Sequence, residues 1–217
     1  MLDPSVMTRV CAFEGGNCAV LTVDNSSREN ISVADLAIDG GMNASFRMYA
    51  TNHCGEREHG LIADPCPPCD GAAAVDTYLR CGWNNFGVLI WDYNMPHDAG
   101  KPRNISLSGL RISGCSMGVH ILGTTAVNLT DSVLESNGNG NGYFHNAYFL
   151  RVVGARISNV TFNSSTGHGL KITTQNDTVI EGCTVINNLW QGIWIGGEGK
   201  TRNYGLQVTD TIVERNR

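Results

Sequence analysis

Residues 155–163 have the sequence ARISNVTFN, and residues 178–186, which begin 23 positions later, have the sequence TVIEGCTVI. Their apolar residues fall at the same positions: Ile157 above Ile180, Val160 above Cys183, and Phe162 above Val185. Related segments begin at Val33, Leu107, Leu129 and Val208. The period is fixed, and within each segment apolar residues alternate with other residues, without the spacing of an amphipathic helix. This pattern predicts a solenoid of stacked β-strands.

A second strand with the pattern glycine–apolar–X–apolar completes each repeat. The pattern is found at residues 87–90, 118–121, 146–149 (with Asn146 first), 169–172 and 192–195. Alternate residues of a strand point to opposite faces, so the apolar pair of each strand should point into the stack. We therefore predict an all-β fold, a right-handed parallel β-helix of about seven coils.

The repeats indicate one domain, residues 1–217, with two unequal parts. Residues 1–74 contain irregular coils and a cysteine- and proline-rich insertion at 50–74, whereas residues 75–217 form regular coils. Excursions at 92–103, 138–142 and 197–203 interrupt the coils and should rim one face. The last repeat stops after its first strand, so we expect a helix truncated at its C-terminus. Solenoid ends need polar caps, and an uncapped coil would favour self-association there.

The composition excludes several classes of partner. The formal net charge is -5 and no run of lysine or arginine occurs, which argues against nucleic-acid binding. No segment is apolar enough to span a bilayer, which argues against a membrane protein. The chain starts without a secretory signal, but we expect a fragment of a secreted or cell-surface protein.

The cysteines divide between the two parts of the chain. Cys115 and Cys183 lie about three coils apart, roughly 14 Å at about 4.8 Å per coil, which no disulfide can span. We predict that both are buried thiols. Cys66 and Cys69 flank two prolines in the irregular part, and a disulfide-stapled loop is favoured there over a redox or metal pair.

Two columns of side chains should line one outer face of the helix. Stacking the second strands predicts an outward column of Leu89, His120, Tyr148, Lys171 and Trp194. Three residues earlier, at the corner, a second column contains Phe86, Met117, His145, His168 and Gln191. Trp91 and Trp194 should flank the patch. Neighbours should be about 5 Å apart within a column and roughly 7–10 Å apart between columns.

The residue types limit the chemistry of this face. A glycosidase needs two carboxylates, and the columns contain none; Asp92, Asp98 and Glu198 lie on the excursions. Lysine and histidine close together lower each other's pKa, which makes a neutral base available near pH 7. This set suits β-elimination or C5 epimerisation of a uronate polysaccharide without a cofactor or a metal. We assign Lys171 or His168 as base and Tyr148 as acid.

The remaining roles concern substrate binding. We assign His145, together with Lys171, to the substrate carboxylate, and the flanking positions to the sugar chain: His120, Trp194, Trp91 and Gln191. Two alternatives stay open. One is a non-catalytic glycan-binding or adhesion module, with aromatic rings stacked on sugars. The other is a metal-dependent enzyme that uses His120, His145 and His168 as ligands.

A resemblance supports the fold. The coil pattern is similar to the single-stranded right-handed β-helix superfamily typified by pectate lyases. The segments HNAY at 145–148, GHGLK at 167–171 and Ile180-Glu181 resemble bacterial right-handed β-helix repeat proteins. Polysaccharide lyases of this superfamily often use lysine or arginine on this face, which by resemblance implies a role for Lys171. The acidic calcium cluster of pectate lyases and the aspartates of polygalacturonases have no counterpart in the columns.

Overall fold

The computed structural model describes residues 18–24, 29–40, 85–91, 102–138, 144–173, 175–197 and 203–217. The predicted insertion at 50–74 and the paired cysteines Cys66 and Cys69 lie outside these ranges. The same holds for most of the three excursions and for the carboxylates on them.

Strands make up the regular structure of the described residues, and they are numbered here in chain order. The first sheet contains β1 (Cys18–Asp24), β4 (Asn85–Trp91), β7 (Met117–Leu122), β10 (Ala147–Leu150), β13 (Leu170–Thr173) and β16 (Ile193–Gly196). The second contains β2 (Glu29–Ala34), β5 (Arg103–Ser108), β8 (Thr125–Thr130), β11 (Val153–Ser158), β14 (Val179–Glu181) and β17 (Gln207–Thr209). The third contains β3 (Ala37–Asp39), β6 (Arg111–Ser113), β9 (Val133–Glu135), β12 (Thr161–Asn163), β15 (Thr184–Ile186) and β18 (Ile212–Glu214).

Each sheet takes every third strand of the chain, and all neighbouring strands pair in parallel. The chain therefore visits the three sheets in turn and closes one coil every three strands. The prediction of an all-β parallel helix is confirmed. The described strands make six coils, against the seven or so expected. No described helix is long and apolar enough to cross a membrane.

The core is a continuous set of aliphatic and aromatic stacks inside the three sheets. The predicted alignment is confirmed, since Ile157 pairs with Ile180 and Phe162 with Val185. Val160 and Leu170 are both buried, as the pattern predicted. Alternation explains this, because inward positions meet the same positions of the next coil at the strand spacing.

Unusual backbone angles recur at one corner between the second and third sheets. Six equivalent residues have positive φ values of 54°, 62°, 50°, 55°, 61° and 48°: Asp35, Gly109, Asp131, Asn159, Gly182 and Asp210. Glycine, asparagine and aspartate tolerate this left-handed conformation better than other residues. The corner composition of the sequence is therefore a direct consequence of the coil geometry.

A ladder of asparagines follows the third sheet. Asn137, Asn188 and Asn216 lie at equivalent corners, as predicted, and the Asn188 side chain donates a hydrogen bond to Asn216 Oδ1 at 2.8 Å. The Cys115 backbone N–H donates to Asn137 Oδ1 at 3.0 Å, so Cys115 holds the same corner one coil earlier. Cys115 and Cys183 are both buried, which confirms that prediction. The side chains of the other cysteines lie outside the described part of the chain.

Candidate functional site

The predicted outward column forms on the first sheet. Strand register pairs Leu89 with His120, His120 with Tyr148, Tyr148 with Lys171, and Lys171 with Trp194. Strand alternation therefore placed these residues correctly in neighbouring coils, although they are far apart in the sequence.

The second column also stacks, but four of its five side chains are buried: Phe86, Met117, His145 and His168. The backbone carbonyls of His145 and His168 accept hydrogen bonds from Gly118 and Asn146 of neighbouring coils at 3.2 Å each. His145 is 0% exposed and His168 is 4% exposed, so the prediction that they face solvent is wrong. Aromatic neighbours cover them: the Tyr148 ring lies edge-on to His145 at 5.8 Å, and Trp190 lies edge-on to His168 at 5.6 Å.

His145 and His168 are in direct contact. Their ring centroids are 4.7 Å apart, and the backbone N–H of His168 donates a hydrogen bond to His145 Nδ1 at 3.1 Å. An acceptor at Nδ1 fixes the neutral His145 ring as the tautomer that carries its proton on Nε2. Gly167 makes this approach possible, because a Cβ there would lie 2.7 Å from His145 Nδ1 and closer still to the Phe144 carbonyl.

Lys171 brings the positive charge of the site. Its ammonium lies 4.7 Å from the centroid of the Tyr148 ring and 5.1 Å from the centroid of the Trp194 ring. Two cation–π contacts hold the half-buried side chain between the coils before and after it. These contacts therefore hold the ammonium at a defined position on the outer face.

His120 forms the apolar end of the face. Its ring stacks on Tyr148 with centroids 5.2 Å apart and planes 5° from parallel, and Phe86 lies 5.6 Å away. A satellite cluster of Phe86, Leu89, Met117 and Phe144 is buried beside it and packs against Tyr148. Polar and exposed residues therefore lie toward β13 and β16, while the β4 and β7 end is apolar.

Burial and charge keep the three imidazoles neutral. Burial, helped by the Lys171 charge, lowers the pKa of His120 from 6.5 to about 4. The same two causes lower the pKa of His168 to about 4, although the Gln191 backbone carbonyl opposes the shift. Burial also lowers the pKa of His145 well below 6.5, and the charges of Lys171 and the neighbouring histidines add to the effect. The lowering has the expected direction, but its first cause is burial and the charge of Lys171 comes second.

Several imidazole nitrogens are buried without a hydrogen-bond partner: both nitrogens of His120, Nε2 of His145 and Nδ1 of His168. Unpaired buried polar atoms are costly and rare, and their concentration in one place makes this face the candidate functional site. Among the described residues, no group of three or more histidine, cysteine, aspartate or glutamate side chains is arranged to hold a metal ion.

The remaining predicted residues take different positions. Gln191 is exposed and Trp194 is half-buried beside Lys171. Trp91 ends β4, and its side chain lies outside the described part of the structure. Trp190, which sequence reasoning missed, is 42% exposed and contacts His168. Trp190 lies two residues after the corner residue Asn188. The corresponding positions of the earlier coils carry no aromatic residue, so the repeat did not point to it.

The comparison with family models agrees with the architecture. The family model described as the right-handed beta helix region matches residues 97–217. Among solved structures, the chain is similar to the A-module of the Azotobacter vinelandii mannuronan C-5 epimerase AlgE4. The identity is 15%, the TM-score is 0.47, and the match covers 91% of this chain and 56% of that one. The chain thus spans little more than half the length of that module. No curated protein sequence matches it.

Proposed function

Because the chain belongs to the right-handed β-helix family, we propose that the outer face of its first sheet acts on an acidic polysaccharide. The proposed reaction is β-elimination or C5 epimerisation of a uronate polymer. One observation carries this proposal: the Lys171 ammonium is fixed over the Tyr148 ring at 4.7 Å, beside a cluster of neutral imidazoles. Cation, phenol and neutral base are the three groups that this chemistry needs.

Both reactions begin with the same step. A base removes the proton at C5, and the charge that develops on the uronate carboxylate is stabilised by a cation. In β-elimination the C5 electron pair forms the C4–C5 double bond, the C4–O bond breaks, and an acid protonates the leaving oxygen. In epimerisation the carbanion instead takes a proton on its opposite face.

The geometry suggests how the roles are divided. Lys171 stabilises the carboxylate through its ammonium, which lies close to the Tyr148 and Trp194 rings. His168 is neutral at pH 7 because its pKa is about 4, and it lies next to Lys171 as a candidate base, with Tyr148 as the acid. His145 is fully buried, so we move it from carboxylate binding to support of His168.

The test is a panel of uronate polymers. A lyase generates an unsaturated uronate with new ultraviolet absorbance, whereas an epimerase exchanges the C5 proton with deuterated solvent, which proton NMR detects. Lys171→Ala and Tyr148→Phe should lower turnover by roughly 100-fold or more. Arg111→Ala is the matched control, since it removes an exposed cation from the third sheet. Turnover at the wild-type rate in both site variants would refute the catalytic assignment.

A second candidate function rests on Trp190. Its ring is 42% exposed, and both Trp190 and the half-buried Trp194 contact His168, which offers a surface on which sugar rings could stack. A glycan-binding module would be retarded on a polysaccharide affinity gel without new absorbance or proton exchange. Under either function, the ligand is a polymer met outside the cell, and secretion or surface display belongs to the same proposal.

A further inference from the structure

Glycines at the start of the first-sheet strands are paired with the corner residue of the same coil. At three of them a Cβ would crowd that corner side chain: Gly118 against Asn137 Nδ2 at 2.9 Å, Gly169 against Asn188 Nδ2 at 2.7 Å, and Gly192 against Asn216 Nδ2 at 2.6 Å. At Gly87 the Cβ would instead crowd Ile112 Cγ2 at 2.5 Å, while Cys115 Sγ lies at an ordinary contact distance of 3.4 Å. Each of the three glycines thus leaves room for an asparagine at the corner. The space, rather than an unusual φ angle, accounts for these glycines.

The coil that holds His145 and Tyr148 reverses this arrangement. Register places Asn146 at the glycine position, because Ala147 pairs with Val119 and Leu170 on its two sides. The corner residue of this coil is Ser165 instead of asparagine. Asparagine and the smaller residue have therefore exchanged places within one coil.

The Asn146 side chain takes over the hydrogen bonds of the missing corner asparagine. Its Oδ1 accepts from the backbone N–H of Asn137 at 3.3 Å and from Asn137 Nδ2 at 3.0 Å. Its Nδ2 donates to the Asn163 carbonyl at 3.0 Å and to Asn188 Oδ1 at 3.3 Å. The ladder of asparagines is therefore continuous through this coil, but one of its members now stands in the strand of the site.

The exchange also changes the turn before His168. The Ser165 hydroxyl accepts a hydrogen bond from the Gly167 backbone N–H at 3.1 Å. Gly167 lies close to the Phe144 carbonyl and to His145 Nδ1. The backbone N–H of the next residue, His168, donates a hydrogen bond to His145 Nδ1 at 3.1 Å. Asn146 thus fixes the backbone beside His145, and Ser165 fixes the backbone beside His168.

We propose that the Asn146–Ser165 exchange is a positioning device that locks His145 against the turn of His168 and fixes the His145 tautomer. Asn146 is a positioning residue and does not contact substrate in this scheme. The consequence for turnover rests on the proposed function, whereas the consequence for the tautomer does not.

The test restores the arrangement of the other coils. Asn146→Gly and Ser165→Asn should each lower the melting temperature, because one breaks the ladder and the other overfills the corner. The double variant should regain most of the wild-type melting temperature. Nitrogen-15 NMR of the imidazole groups should nevertheless show loss of the single Nε2–H form of His145. Where a uronate polymer is turned over, the rate should fall by about 10- to 100-fold, as expected for a misplaced group.

Two outcomes would overturn the proposal. A double variant as unstable as the worse single variant would show that the two positions do not compensate. A stable double variant with the wild-type His145 signal would show that the exchange is structural only. Lack of turnover on every uronate polymer by the wild type would refute the proposed function, and the tautomer measurement would still decide this proposal.

Discussion

Acid should destabilise the fold through its buried histidines, and His120 allows the size of the effect to be worked out. Its pKa is about 4 in the folded protein, compared with 6.5 for a histidine in the unfolded chain. Above pH 6.5 the ring is neutral in both states and contributes nothing. Between the two values the unfolded chain binds a proton that the folded chain does not, so acidification favours unfolding.

The magnitude follows from the two pKa values. One proton is worth about 1.4 kcal/mol per pH unit, so His120 alone should lower the free energy of unfolding by about 3 kcal/mol between about pH 7.5 and about pH 4. His145 and His168 act in the same direction, because burial lowers the pKa of each.

The assay is urea unfolding at a series of pH values, with wild type and His120→Phe compared. Phenylalanine keeps an aromatic ring between Phe86 and Tyr148 and removes two unpaired nitrogens. The variant should be at least as stable as wild type at pH 7, and its stability should fall less steeply with acid. Equal slopes in the two proteins would refute the argument that the fold holds His120 neutral.

Three further predictions concern neighbouring residues. Leu170→Ala should cost about 2–5 kcal/mol in denaturant unfolding, because it empties a fully buried position, while Lys171→Ala should cost far less; equal losses would contradict the assigned faces. Gly167→Ala should cost roughly 1–3 kcal/mol and shift the His145 NMR signals, since the new Cβ meets the Phe144 carbonyl; an unchanged spectrum would count against this contact. Trp190→Ala should weaken retention on a polysaccharide affinity gel, whereas Val153→Ala, an exposed residue of the second sheet, should not.

The sequence alone was enough to predict the coil architecture and the column of the site. Strand alternation and the 23-residue period are local properties, and parallel pairing carries them from coil to coil without a shift. Tyr148 therefore had to lie beside Lys171, and the register confirms it. The same periodicity placed Cys115 and Asn137 at equivalent corners, where they share a hydrogen bond.

The burial of the site histidines could be decided only by the tertiary structure. His145 and His168 lie at corners just before β10 and β13, where alternation no longer fixes which way a side chain points. Their accessibility depends on rings and backbone from other coils, above all Trp190 and the close approach of Gly167. Their lowered pKa values follow from that packing, because desolvation is a property of the assembled surroundings and not of the residue or its spacing.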